Sequence, residues 1–117
     1  MSYRVYFDVP VAGTDKWWHA RFVGEVTCNI YKIAQSIPCL EWWSCNARKK
    51  CIDAFPNIRK GIRELEQNPE KYRKLERYHE IDTMKRFFEN LLEHWTEVCC
   101  EEDRDILEVM EIYVSQR

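Results

Sequence analysis

The chain has 117 residues, 45% hydrophobic and 32% charged, with 18 basic and 20 acidic side chains for a formal charge of −2. That length suits one domain of roughly 100–150 residues, and the composition excludes a disordered chain. The balance of charge argues against a non-specific nucleic-acid binder and against a DNA mimic, and no apolar run nears the roughly 20 residues that cross a bilayer.

The opening residues alternate at once, which reads as a chain with no signal peptide and a cytoplasmic location. Tyr3, Val5, Phe7 and Val9 point one way and Arg4, Tyr6 and Asp8 the other, the pattern of a strand with one buried face. Gly13-Thr14-Asp15 marks a turn. Trp18, Ala20 and Phe22 then alternate against Trp17, His19 and Arg21, giving a second strand that ends near Gly24 and closes an antiparallel hairpin. Thr27 suits a helix N-cap, and Ile30, Ile33, Ala34 and Ile37 form the apolar stripe of a short helix that Pro38 stops.

Residues 39–44 read as a loop, with Ser44 or Asn46 capping a helix from Ala47 on. Its apolar positions are Cys51, Ala54, Phe55, Ile58, Ile62 and Leu65, and Pro56 either kinks it or divides it, with Asp53 capping the second piece. Asn68-Pro69 reads as a cap followed by proline at the first position of a short helix over 70–76. A longer helix from about Asp82 keeps Ile81, Met84, Phe88, Leu91, Leu92, Trp95, Val98 and Cys99 on one face until Glu101-Glu102-Asp103 ends it. Residues 106–114 read as a third strand. The order ββαααβ predicts an α+β domain: a three-stranded antiparallel sheet, from the hairpin and the C-terminal strand, packed with three to four helices.

Catalytic chemistry finds little support in these residues. The six cysteines contain no C-x2-C, so free thiols are expected over a metal site or disulfides. Cys45 is the best-placed nucleophile, yet a free cysteine is more often a small buried hydrophobe. His94 and Cys99 are five apart, off the i, i+4 spacing of helical metal ligands. The paired carboxylates suit solvated helix faces and ends, and no phosphate-loop, dinucleotide or nucleophile-elbow motif is present. The expectation is a non-enzyme with no catalytic, cofactor-binding or metal residues and no cofactor.

Tryptophan is the more informative residue. Trp17 and Trp18 must face opposite sides of a strand, and Trp42 and Trp43 share a loop where at least one should be partly exposed. Exposed aromatics concentrate at binding surfaces, although one could simply cover the open face of the sheet. The candidate protein-binding residues are Trp42, Trp43, Trp17, Glu41, Arg48 and Lys49. Two other readings compete. A small-ligand pocket, that of a sponge for a nucleotide signal, would use Arg21, His19 and Lys16 beside Trp17. A nucleic-acid surface, the less favoured partner, would use Arg48, Lys49 and the basic–aromatic segment Lys71, Tyr72, Arg73, Lys74, Arg77 and Tyr78.

Several stretches carry a resemblance: residues 3–22 with Gly13-Thr14-Asp15-x-Trp17, residues 27–34, Asp53-Ala54-Phe55-Pro56, residues 61–75 with Asn68-Pro69-Glu70-Lys71-Tyr72, and Ile112-Tyr113-Val114-Ser115. In these the chain resembles small accessory proteins of bacteriophages, prophages and mobile elements. The loop around Trp42 and Trp43 and the stretch after Leu75 depart from that pattern. The resemblance implies a stoichiometric anti-defence inhibitor, anti-CRISPR-like, acting in the host bacterial cytoplasm. Its partner would be a host defence protein such as a CRISPR effector, with a second copy of the chain as a further candidate partner. It carries over no catalytic residue.

Overall fold

Alternation carries Ser2–Pro10 into a first strand, β1, and Trp17–Thr27 into a second, β2, paired antiparallel from Ser2↔Thr27 to Pro10↔Trp17. The computed structural model describes residues 1–116. Between the strands Thr14 closes the turn, its backbone N–H and its hydroxyl both donating to the Val11 carbonyl, and Gly13 takes φ 77°. Thr27 then accepts the Asn29 N–H at 3.3 Å and starts a single 3-10 turn, Cys28–Ile30, that runs into helix α1, Tyr31–Ser36. The stripe expected there, Ile30, Ile33, Ala34 and Ile37, is fully buried.

The next segment corrects the sequence reading. Arg48–Lys50 forms a short strand, β3, and helix α2 begins only at Cys51, running to Gln67. Three residues are too few to show alternation, so the segment read as the start of the helix. Neither Ser44 nor Asn46 caps α2. Lys50 precedes it, and Asn46 adopts φ 66° with its N–H on the Val114 carbonyl. Pro56 does not divide α2. It sits exposed in the second turn, where its missing N–H costs only the bond to the Ile52 carbonyl, so Asp53 lies in the first turn of one continuous helix. Pro69 opens α3, Pro69–Arg73, after Asn68, and α4 spans Glu80–Glu101. Val98 closes the buried stripe of α4, Phe87 joins it, and Cys99 stands exposed.

The C-terminal strand is shorter than expected. Arg104–Val109 is a helix, α5, held by an Arg104–Glu108 pair at 3.2 Å, and strand β4 occupies Glu111–Gln116. None of the α5 side chains is fully buried, so no apolar period announced it. β4 pairs antiparallel with β1 on one side and β3 on the other, and the sheet order is β2-β1-β4-β3. The α+β class therefore holds, with four strands and five helices among the described residues in place of three strands and the order ββαααβ.

Helices α2 and α4 cover one face. Phe7 of β1 meets Phe55 and Trp95 edge-on at 5.7 and 6.1 Å, and Phe55 stacks on Trp95 at 5.1 Å. Two register shifts in the β1–β2 ladder place the other face. Asp8 pairs with His19 but Phe7 with Arg21, and Tyr6 pairs with Phe22 but Val5 with Gly24, so Ala20 and Val23 are extra residues of β-bulges. Trp18, Ala20 and Phe22 therefore do not share a face. Phe22 turns to the open side beside Tyr6, whereas Arg21 turns towards α4. Gly24 takes φ 148° there, and a Cβ would lie 3.0 Å from the Phe87 ring, which would have to give way.

Candidate functional site

At the middle of the sheet's open face lies Asp8, with no exposed surface although no helix covers that side. A buried carboxylate needs compensating donors, and two strands supply them. His19 of β2 places Nδ1 2.6 Å from Oδ1, and Arg48 of β3 donates from Nη1 to Oδ2 at 2.9 Å. Aromatic rings complete the cover. The Arg48 guanidinium lies between Trp17 and Tyr113, 4.3 and 4.1 Å from the ring centres. His19 stacks between Tyr113 at 6.0 Å and Tyr6 at 4.1 Å, and Tyr6 meets Phe22 at 5.5 Å.

The result is a column of six side chains, Trp17, Arg48, Tyr113, His19, Tyr6 and Phe22, drawn from all four strands and tied from below by one carboxylate. With Nδ1–H donated to Asp8, His19 keeps Nε2 free of any described protein partner. Phe22 ends the column 53% exposed. Beside it a shallow depression of about 400 Å³ is lined by Arg4, Tyr6, Phe22 and Glu25, with Ser2 donating to Glu25 at 2.6 Å.

The six protein-binding candidates divide. Trp17 and Arg48 belong to the column. Trp43 lies in the core with no exposed surface, edge-on to Phe88 at 5.0 Å and Tyr3 at 6.2 Å, and its Nε1 has no hydrogen-bond partner among the described residues. Trp42 is half-buried, its Nε1 donating to the Cys39 carbonyl at 3.0 Å. Lys49 approaches the Trp42 ring at 5.8 Å and Glu41 is exposed next to it, so Glu41, Trp42 and Lys49 make a second, separate patch.

Of the expected ligand pocket, His19 and Trp17 come together, while Lys16 stays exposed in the turn and Arg21 does not join them. Arg21 donates from Nε to His94 Nδ1 at 3.1 Å and pairs with Glu97 and Glu101 of α4. Asp8, Tyr6, Tyr113 and Phe22 escaped the sequence reading. Alternation had assigned Asp8 and Tyr6 to the solvent side correctly, and the one available signal was an Asp inside a strand, where the residue is depleted.

Two of the thiols, Cys51 and Cys99, are shifted away from thiolate. All six are free. Burial pushes the Cys51 thiol well above its ordinary value, and burial followed by the neighbouring Cys100 raises Cys99. Cys45 donates to Gln116 Oε1 at 2.9 Å. Among the described residues no group of three His, Cys, Asp or Glu could hold a metal ion, and no helix is long and apolar enough to cross a membrane. No family model matches the chain, and neither the curated proteins nor the solved structures gave a significant match.

Proposed function

We propose that the chain is a non-enzymatic binding protein that docks on a partner protein through the open face of its sheet. The setting is the one the resemblance implies, a mobile-element protein that inhibits a host defence protein. The observation that carries the docking surface is Phe22, an aromatic more than half exposed at the end of a column already locked by Asp8. Trp, Tyr and Arg dominate binding hot spots and Phe is enriched in interface cores, and rings held in place before binding lose little freedom when a partner arrives. The non-catalytic reading draws support from Asp8, whose two oxygens are both engaged, and from Cys51 and Cys99, whose thiols are shifted away from nucleophilic thiolate.

The test is capture of partners by the tagged chain from bacterial lysates carrying defence systems, repeated with Phe22→Ala and Trp42→Ala. Phe22→Ala should keep the wild-type melting curve and lose the retained protein, at a cost of about 2 kcal/mol, roughly 30-fold in affinity. Retention unchanged in Phe22→Ala but lost in Trp42→Ala would move the surface to Glu41, Trp42 and Lys49. A wild-type chain that retains no protein at near-stoichiometric ratio would overturn the inhibitor reading.

A further inference from the structure

A cleft of about 220 Å³ lies on another part of the molecule, between the start of α1 and the loop that joins α3 to α4. From the first wall come Asn29, Tyr31 and Lys32, and from the second Leu75, Arg77 and Glu80. Lys32 and Arg77 are thus brought to one cavity from distant parts of the sequence. Neither has a carboxylate within ion-pair distance among the described residues.

Two other cations of the basic segment differ, although Lys74 is, like Arg77, without an ion pair among the described residues. Lys71 pairs with Glu64 and Arg73 with Glu70, each at 3.7 Å. The one carboxylate in the cleft is committed elsewhere: buried Glu80 accepts the backbone N–H groups of Arg77 and Tyr78 and thereby holds the second wall in shape. The polar groups left to a ligand are then mainly donors, namely the Lys32 ammonium, the Arg77 guanidinium, the Tyr31 hydroxyl and the Asn29 amide. Two cations lining one cleft with neutral donors are the equipment for an anion, and guanidinium suits phosphate in particular, the Arg77 group itself resting 5.9 Å from the centre of the Tyr78 ring. Tyr31 and Leu75, 39% and 40% exposed, add apolar surface for an attached body.

We propose that this cleft binds a small phosphate-bearing organic molecule, with Lys32 and Arg77 holding the phosphate and Tyr31 and Leu75 flanking its organic part. The cavity is smaller than common drug-sized pockets of roughly 300–1,000 Å³, so the ligand is small. The site is independent of the open sheet face, and a docking partner there is not required for it.

The experiment is a titration of the isotope-labelled chain by amide NMR, first with inorganic phosphate and then with adenosine monophosphate. Saturable shifts confined to the backbone around Asn29–Lys32 and Arg77–Glu80 are expected, with adenosine monophosphate the tighter probe. Lys32→Ala and Arg77→Ala should each weaken both by about tenfold. Lys60→Ala, which removes an exposed cation of α2, should change nothing. Shifts that never saturate, or that Lys60→Ala diminishes as much as Arg77→Ala does, would overturn the site. Equal affinity for the two probes would overturn the organic half of the proposal.

Discussion

Arg48 joins three kinds of contact, and removing it tests whether the column is a structural unit. Its Nη1 donates to a carboxylate with no exposed surface, a charge-assisted bond worth about 1.5–3 kcal/mol net. It also lies between two rings at 4.3 and 4.1 Å, where each cation–π contact contributes about 0.5–1 kcal/mol at a partly exposed site. The sum is about 2.5–5 kcal/mol. Two facts lower it. Contacts that share one group are not additive, and His19 continues to serve Asp8 when Arg48 is gone.

Arg48→Ala should therefore cost about 2–4 kcal/mol. Arg48→Lys keeps a charge for Asp8 but has no planar group to lie between Trp17 and Tyr113, and it should cost about 1–2 kcal/mol. Urea denaturation followed by far-UV circular dichroism measures both, with an unchanged slope showing that the denatured state is not involved. Asp8→Asn completes a double-mutant cycle. The amide can still accept from Arg48 and donate to His19 once the imidazole changes tautomer, so the cycle isolates the ionic part of the Asp8–Arg48 contact. An Arg48→Ala variant within about 0.5 kcal/mol of wild type, or strict additivity with Asp8→Asn, would refute the reasoning.

Two further outcomes follow from the core. Trp43→Phe leaves a cavity but also removes the indole N–H that lacks a partner among the described residues, itself a cost of about 1–3 kcal/mol. It should destabilise by about 1 kcal/mol or less against the 3–5 kcal/mol of Trp43→Ala, and equal losses in urea melts would contradict this. Burial raises Tyr3 and Tyr72 from 10.0 to about 12, with the hydrogen bond to Glu64 adding to Tyr72. Because the folded values lie above the ordinary one, the protonated rings' stability is complete below pH 10 and is lost between pH 10 and 12, by roughly 2–3 kcal/mol for each ring. A Tyr3→Phe/Tyr72→Phe chain should show a shallower decline over that window, and an equally steep one would remove these two tyrosines from the account.

What the sequence disclosed depended on the length over which a pattern could repeat. β1 and the apolar faces of α2 and α4 run for several periods and were readable from side-chain spacing alone. β3 has three residues and α5 no buried one, so neither offered a period, and both went unseen. β2 misled for a different reason. Two inserted residues, Ala20 and Val23, reset the alternation, and the face on which Phe22 lies could be known only from the register of pairing. The site shows the same division. Trp17 and Arg48 were visible as exposed-type residues, but Asp8, which holds them together, looked like one more polar position on a solvated face. Trp43 was assigned to a loop correctly, yet the loop folds inward and places it against Phe88.

The inserted residues of β2 also affect how the molecule can meet its own kind. An outer strand with a regular row of unpaired amides is a template on which another chain can add a strand, and irregular spacing spoils that template. β2 is the longest strand, with 11 residues, and it forms one border of the sheet, but its row is broken twice. The opposite border, β3, is three residues long and carries Lys49 and Lys50. Neither border invites strand-by-strand growth, so the aromatic surface is left bare with no regular strand edge beside it to template fibrous self-association.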